Sequence, residues 1–177
     1  RVNYGIDLTH LNLTGYIDQL KLKAQAGFNN RYEIAYRLPP LDKKQTLSLN
    51  TSASFSRSHD VAYTTGGSKL LFRRDDNAWQ ISQFSASMRL TWRPRLLTWH
   101  AFELEHRRTT VADTIAHFIN PDFFLNAATR QHHTSFVYNL RSDHRDFQPY
   151  PSKGWAFVGE VRVNGLLPGD NLRLTRL

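Results

Sequence analysis

Apolar and polar residues alternate along most of this chain, in the period of two that is typical of β-strands with two different faces. In QLKLKAQAGF, residues 19–28, apolar residues take every second position and Lys or Gln most of those between. Helical periodicity is scarce. The sequence therefore predicts an all-β chain of about nine antiparallel strands, the last of them cut short. The segments are VNYGIDLTHL, QLKLKAQAGF, RYEIAYRL, TLSLNTSASFSR, QFSASMRLTW, TWHAFELEHR, TSFVYNLR, WAFVGEVRV and the final LRLTRL.

The polar positions of these segments carry many charged side chains in mid-strand. Such side chains are almost never fully buried unless they are paired. We therefore expect the polar face to contact water. The charged positions are Lys21, Lys23, Arg31, Glu33, Arg37, Arg89, Glu103, Glu105, Arg107, Arg141, Glu160 and Arg162.

The connections between the predicted strands differ in length in an ordered way. The two long ones are the fourth, SHDVAYTTGGSKLLFRRDDN, and the sixth, ADTIAHFINPDFFLNAATRQH. If the strands run up and down in sequence order, all even-numbered connections lie at one end, so both long loops share it. Outer-membrane β-barrels show this asymmetry, with short periplasmic turns and long extracellular loops.

Strand length and tryptophan position also favour a membrane wall. Segments 78–92 and 96–111 are longer than most soluble strands and meet the roughly 9–11 residues that cross a bilayer when tilted. The tryptophans lie near the predicted turns, as an interfacial girdle requires. Aromatic strand ends also pack in the cores of soluble sandwiches, so that alternative stays open. The four tryptophans are Trp79, Trp92, Trp99 and Trp155.

Composition narrows the partners without choosing among them. The net charge of +8 indicates contact with something anionic, and nucleic acid, anionic lipid and lipopolysaccharide all qualify. The chain has no cysteine, so neither a disulfide framework nor a thiolate metal site is available. No apolar run of about 18 residues is present, which excludes helical membrane spans. The chain starts without Met and stops in mid-pattern, so we expect a fragment of a larger protein.

One stretch, SDHRDFQPYPSKGW at 142–155, has the residue types of a catalytic loop, since His beside carboxylates is common material for acid and base catalysis. No nucleophile or metal partner is suggested nearby, and both flanks alternate as strands. Asp143 and Asp146 can accept backbone N–H bonds, Arg145 can pair with a carboxylate, Pro151 fixes φ, and Gly154 allows a conformation that other residues resist. We predict a structural turn, with no catalytic residue and no cofactor.

Histidines elsewhere do not suggest a metal site. His132 and His133 are adjacent, and adjacent strand residues point to opposite faces, so this pair would not chelate one ion without distortion. His117 lies within the sixth connection. We predict that these are loop histidines and that the chain binds no metal through them.

Two loop segments are candidates for contact with partners. Lys69, Arg73 and Arg74 alternate with apolar residues in KLLFRRDDN, a mixture that nucleic-acid binding would favour. The two aspartates that follow offset the arginines, which argues against nucleic acid. On an outer-membrane barrel this loop would face the cell exterior, and the alternatives are contact with lipopolysaccharide phosphates and a solvated or self-packed loop. The second segment, FINPDFFLN, is more apolar than an exposed loop should be. We expect it to pack over a barrel mouth or against a partner through Phe118, Phe123 and Phe124.

The spacing D-x-R-D-x4-P-x-x-G, formed by Asp143, Arg145, Asp146, Pro151 and Gly154, resembles a turn in the barrel of the bacterial surface antigen superfamily. That superfamily includes BamA, TamA and the mitochondrial and chloroplast homologues. NLTGYIDQLKLKAQAG and RYEIAYRLPPLDKKQTLSL resemble its early hairpins, so the resemblance covers nearly the whole chain. It identifies the 142–155 stretch as a periplasmic turn.

The resemblance implies a transmembrane, antiparallel, up-and-down β-barrel of roughly sixteen strands, of which residues 1–177 would form the N-terminal half. POTRA domains would precede Arg1, and the Arg-Gly-Phe loop that folds into the lumen would follow Leu177. The implied function is non-catalytic insertion, assembly or translocation of other outer-membrane proteins at a lateral barrel seam. Its implied surroundings are outer-membrane lipid, lipopolysaccharide, client proteins and accessory lipoproteins.

Two alternatives remain at this stage. A two-partner secretion transporter would export one cognate client through the barrel lumen. A soluble β-barrel or sandwich would instead bind a ligand or a polyanion.

Overall fold

The computed structural model describes residues 2–176. Apart from its strands, this part of the chain contains one π-helical turn, Ile115–Ile119. Between positions 2 and 176 no helix has both the length and the apolar character needed to cross a membrane. The strands are β1 Asn3–Leu11, β2 Gln19–Gly27, β3 Asn29–Arg37, β4 Leu47–Ser58, β5 Asp60–Gly66, β6 Lys69–Arg74, β7 Ile81–Arg95, β8 Thr98–Val111, β9 Arg130–Asp143, β10 Ala156–Asn164 and β11 Leu174–Arg176.

Nine of these strands form one sheet in the order β1-β2-β3-β4-β7-β8-β9-β10-β11. Every neighbouring pair is antiparallel. The remaining two, β5 and β6, form a separate hairpin inserted between β4 and β7. The predicted all-β, up-and-down meander of nine strands is confirmed.

The strand register keeps apolar and polar residues on separate faces of the sheet. Leu22 lies directly opposite Leu8 on one side and Ile34 on the other, while Lys23 lies opposite Asp7 and Glu33. Because directly opposed residues of an antiparallel pair share a face, the alternation of each strand extends across the whole sheet. We call the two surfaces the apolar face and the polar face.

Most large side chains of the apolar face remain uncovered. Ile6 is 74% exposed and Met88 is 49% exposed. A soluble sandwich would bury such a face against a second sheet, and exposed apolar surface of this extent marks a membrane or protein contact. The hydrophobic residues that are buried are few within the described range, namely Val61, Ala101, Val111, Ile115, Ala116 and Val137.

The connections sort to two ends of the sheet, as predicted. The short-turn end holds the connections 12–18, 38–46, 96–97 and 144–155. The long-loop end holds residue 28 and the connections 59–80, 112–129 and 165–173. The two longest connections also touch each other, because the Asn120 side chain donates to the Tyr63 carbonyl at 2.6 Å. The two long loops are therefore in direct contact.

The fourth connection is not the plain loop that its polarity suggested, since it contains the β5–β6 hairpin. A register shift between Ala62 and Thr64 interrupts the alternation of β5. In β6 the apolar residues are consecutive, which hides a period of two. The two turn residues are Gly67 and Ser68, which take φ values of +55° and +64° between the paired Gly66 and Lys69.

The tryptophans lie on both faces of the sheet and at both of its ends. Trp92 lies on the apolar face at the short-turn end, directly opposite Leu47. Trp99 lies opposite Arg141 on the polar face, so it does not belong to a girdle that faces lipid. Trp79 lies just outside β7 at the long-loop end, with its ring 3.8 Å from that of His59. The expected girdle is therefore incomplete on this sheet.

Candidate functional site

The turn 144–155, predicted from its spacing, is held by a bidentate ion pair at the end of β9. Arg145 donates from Nε to Oδ1 of Asp143 and from Nη2 to Oδ2, both at 2.8 Å. A third guanidinium nitrogen donates to the Gln148 carbonyl at 3.3 Å. Asp143 itself is buried. Arg145 therefore ties the strand end to the chain that leaves it, and a planar, forked donor suits this task better than an ammonium group.

The second carboxylate organises the far side of the same turn. Asp146 accepts backbone N–H groups from Phe147 at 2.9 Å and from Ser152 and Lys153 at 3.1 Å. The Ser152 hydroxyl also donates to this carboxylate. These hydrogen bonds lower the pKa of Asp146 to about 2. The Ser152 hydroxyl has the largest effect on this pKa, and the backbone N–H of Lys153 has the next largest. The carboxylate is thus a fixed acceptor in the turn.

Gly154 stands where the returning chain crosses the departing one. Its φ is +100°, and a Cβ atom there would lie 2.1 Å from the His144 carbonyl oxygen. The His144 backbone N–H donates to the Trp155 carbonyl at 2.8 Å, and its ring stacks on that of Trp155. Pro151 lies exposed at the tip of the turn. The five residues of the spacing thus lie in one turn, and both carboxylates bond to Arg145, to Ser152 or to backbone N–H groups.

The candidate basic residues of the fourth connection fall in the β5–β6 hairpin. Lys69 begins β6 at the hairpin tip and is exposed. Arg74 lies 3.8 Å from a carboxylate oxygen of Asp60 and 5.0 Å from the centre of the Phe28 ring. Arg73 is half-buried. The hairpin therefore presents Lys69 to solvent and holds the two arginines nearer the sheet.

The apolar loop 112–129 is anchored by residues other than the three phenylalanines predicted for it. Ile115 and Ala116 are fully buried, whereas Phe118 is 82% exposed. Phe123 and Phe124 are half-buried and contact each other edge to face. The sequence did not predict this anchor, although Ile115 and Ala116 belong to the same connection as the phenylalanines. The exposed Phe118 is free to meet a partner.

The polar face carries a network of ion pairs that the sequence could not assign, because the register was unknown. Glu105 lies 2.6 Å from Arg107 on its own strand and 3.3 Å from Arg162, two strands away. Arg89 and Glu103 lie opposite each other at 3.8 Å. These partly exposed pairs are consistent with a polar face that contacts water. His133 lies on this face opposite Arg107.

The prediction that His132 and His133 are loop residues is wrong, because both lie within β9. They point to opposite faces of the sheet, as predicted. His132 lies opposite Arg108, on the apolar face, and His133 points to the other side. The two rings therefore cannot share one ion.

Comparison with known families gives a match over nearly the whole chain. Residues 12–177 match the family model of the Omp85 superfamily domain. The chain belongs to the Omp85 superfamily. No curated protein and no solved structure gives a match. The resemblance to the surface antigen proteins is thereby confirmed, and the family is one of outer-membrane proteins that assemble or transport other proteins.

Proposed function

We propose that this chain is part of an integral bacterial outer-membrane β-barrel that inserts, assembles or translocates other outer-membrane proteins without catalytic chemistry. The observation that carries the proposal is the match of residues 12–177 to the Omp85 superfamily domain. The two-faced sheet supports it, because lipid accepts the exposed apolar face and a water-filled lumen accepts the charged one.

In the proposed orientation the long-loop end faces the cell exterior and the short-turn end faces the periplasm. This follows the length asymmetry of outer-membrane barrels. The turn 144–155 would then lie in the periplasm, with the β5–β6 hairpin and loop 112–129 outside. Lys69, Arg73 and Arg74 would be placed near lipopolysaccharide phosphates.

The mechanism that we propose uses backbone pairing at an open sheet edge. Unpaired backbone N–H and C=O groups cost several kcal/mol each in lipid, so a client strand gains by pairing with an exposed strand edge. Such an edge templates a second chain without any side-chain chemistry. Client proteins, accessory lipoproteins and POTRA domains are the partners that the family implies for this step.

The direct test is reconstitution of the full-length protein in phospholipid vesicles. Urea-denatured outer-membrane barrel clients should gain protease resistance and heat-modifiable migration in these vesicles faster than in empty ones. A secretion transporter would instead carry a cognate unfolded client into the vesicle lumen without inserting it. If the full-length protein is monodisperse in buffer without detergent, the membrane-barrel proposal is wrong.

Two adjacent substitutions test which face meets lipid. Leu22→Arg places a charge on the apolar face of β2 and should cost about 2–4 kcal/mol near the bilayer midplane. Lys23→Leu, on the polar face, removes the 3.3 Å ion pair with Asp7 and the attraction of Glu33 opposite. Because exposed ion pairs contribute little, it should be tolerated. The measurement is the yield of folded, heat-modifiable protein in the membrane fraction. Equal yields for the two variants would contradict the face assignment.

A further inference from the structure

The apolar face ends in cations where β4, β7, β8 and β9 approach the long loops. Directly opposed residues in the last rows can be followed across these strands through the register. The outermost row consists of Arg57, Ser82, Thr110 and Arg130, and the row below it consists of Phe55, Phe84, Arg108 and His132. We call Arg57, Arg108 and Arg130 the rim cations; His132 lies beside Arg108 in the same row.

The rim cations share a face with residues that belong against lipid. Leu104 and Phe136 are directly opposed on β8 and β9, and both are exposed. Arg108 and His132 each lie four residues farther along the same two strands, towards the long loops. Since residues an even number apart on a strand share a face, the rim cations cap the apolar face, away from the polar side.

Two of the rim cations are available for a ligand. Arg108 and Arg130 are exposed, and no residue from 2 to 176 forms an ion pair or hydrogen bond with either side chain. Arg57 is already partly engaged, with its guanidinium carbon 4.1 Å from the centre of the Trp79 ring. Placing unpaired arginines on a lipid-facing wall is costly unless an anion meets them there.

A carboxylate close to His132 is occupied by backbone N–H groups. Asp170, in the connection 165–173, accepts the backbone N–H groups of Thr134 and Leu167, both at 3.0 Å. It lies close to His132 and His106. This carboxylate therefore faces the histidine side of the cluster and forms no ion pair with the two arginines.

The position of the rim cations fits one class of ligand. Cations at the end of an apolar wall lie where hydrocarbon gives way to headgroups. Neighbouring strands are about 4.8 Å apart, so Arg57 and Arg130 are roughly 14 Å apart along their row. Guanidinium groups bind phosphate oxygens through paired hydrogen bonds, and the hydroxyls of Ser82 and Thr110 lie between them.

From this arrangement we infer that the rim cations form a binding site for the phosphate groups of lipopolysaccharide in the outer leaflet. The inference rests on the proposed function in placing the barrel in the bacterial outer membrane, with the apolar face against lipid and the long-loop end outside the cell. It concerns the wall of the barrel and is separate from the hairpin residues Lys69, Arg73 and Arg74.

The test is binding of bisphosphorylated lipid A to the full-length protein in detergent, followed by native mass spectrometry. The variant R108Q/R130Q should bind at least about tenfold more weakly, since each arginine near an anionic lipid surface contributes about 1 kcal/mol. The matched control is R93Q/R95Q, which removes the same charge from exposed positions at the short-turn end of β7. It should bind as the wild type does.

Several outcomes would overturn the inference. Unchanged binding by R108Q/R130Q would do so, as would an equal loss in R93Q/R95Q, which would indicate charge attraction alone. Equal wild-type affinity for dephosphorylated lipid A would also overturn it, and this comparison needs no variant. Displacement of lipid A by millimolar inorganic phosphate would assign the site to free phosphate instead.

Two further measurements keep the inference separate from the proposed function. Heat-modifiable migration shows whether each variant is folded. Client insertion in phospholipid vesicles that lack lipopolysaccharide tests the assembly function without occupying the rim. Loss of insertion by the wild type with retained, arginine-dependent lipid A binding would reject the function and keep the site.

Discussion

The turn 144–155 and the loop 112–129 lie at opposite ends of the sheet and are held by different forces. In the turn, Asp143 and Asp146 accept bonds from Arg145, from Ser152 and from the backbone, all within a few residues of sequence. In the loop, Ile115 and Ala116 are fully buried, and the Asn120 side chain donates to the carbonyl of Tyr63, which lies far away in the sequence. The turn is stabilised by local polar bonds and the loop by tertiary packing.

The two connections also differ in which residues adopt a positive φ. The turn uses glycine, Gly154, for its left-handed φ of +100°. The loop places three successive non-glycine residues, Leu125 to Ala127, at positive φ, between 52° and 67°. Each such residue costs roughly 1–2 kcal/mol, so the loop depends on its surroundings to hold its shape. A spacing in the sequence can therefore reveal the turn but not the loop.

Among the substitutions that test this difference between turn and loop, Gly154→Ala should cause the largest loss of stability. A methyl group there meets the His144 carbonyl at 2.1 Å while the backbone keeps a φ of +100°. Overpacking and backbone strain act together, so we expect a loss of more than roughly 4 kcal/mol in the free energy of unfolding. Denaturant unfolding of the full-length protein in lipid vesicles measures it.

Gly169→Ala is the matched control for this change. Gly169 has nearly the same φ, +103°, but an added Cβ would have nothing within 4 Å. It should show the conformational cost alone, roughly 1–3 kcal/mol. Equal losses for the two alanine variants would mean that the turn does not depend on the close crossing of its two arms.

The next effect concerns the anchor of the loop. Ile115→Ala empties a fully buried position and should cost about 2–5 kcal/mol. Phe118→Ala removes a larger side chain from the same π-helical turn, but that side chain is 82% exposed, so its effect should stay within about 0.5 kcal/mol. Limited proteolysis of the long-loop end, together with denaturant unfolding, distinguishes the two. A larger loss for Phe118→Ala would show that the loop packs on its phenylalanines after all.

The sequence predicted those parts of the fold that depend on local pattern. Alternation alone defined the nine-stranded meander and both faces, since Leu22 and Lys23 fall on the sides that their polarity indicated. The β5–β6 hairpin was not predicted, because a register shift between Ala62 and Thr64 interrupts the alternation of apolar and polar residues.

The candidate sites also differ in whether a local pattern in the sequence could predict them. The spacing from Asp143 to Gly154 corresponds to one continuous turn because its bonds are short in sequence. The sequence could not predict the rim cations, because Arg57, Arg108 and Arg130 come from three different strands and only the strand register brings them together. Ion pairs such as Glu105 with Arg162 were hidden for the same reason.

The smallest expected effect tests whether the turn depends on ionised carboxylates. The Ser152 hydroxyl and the backbone N–H groups hold the folded pKa of Asp146 at about 2, below its ordinary value of 3.8. A carboxylate whose pKa is lowered on folding stabilises the protein fully above the ordinary value, and this contribution is lost as the pH falls through the folded value. The unfolding midpoint of the wild type relative to Asp146→Asn should therefore be constant above about pH 5 and should approach that of the variant as the pH falls from about 5 to below 2. Because the variant cannot titrate at this position, a difference that persists unchanged at pH 2 would mean that the charge of Asp146 does not stabilise the turn.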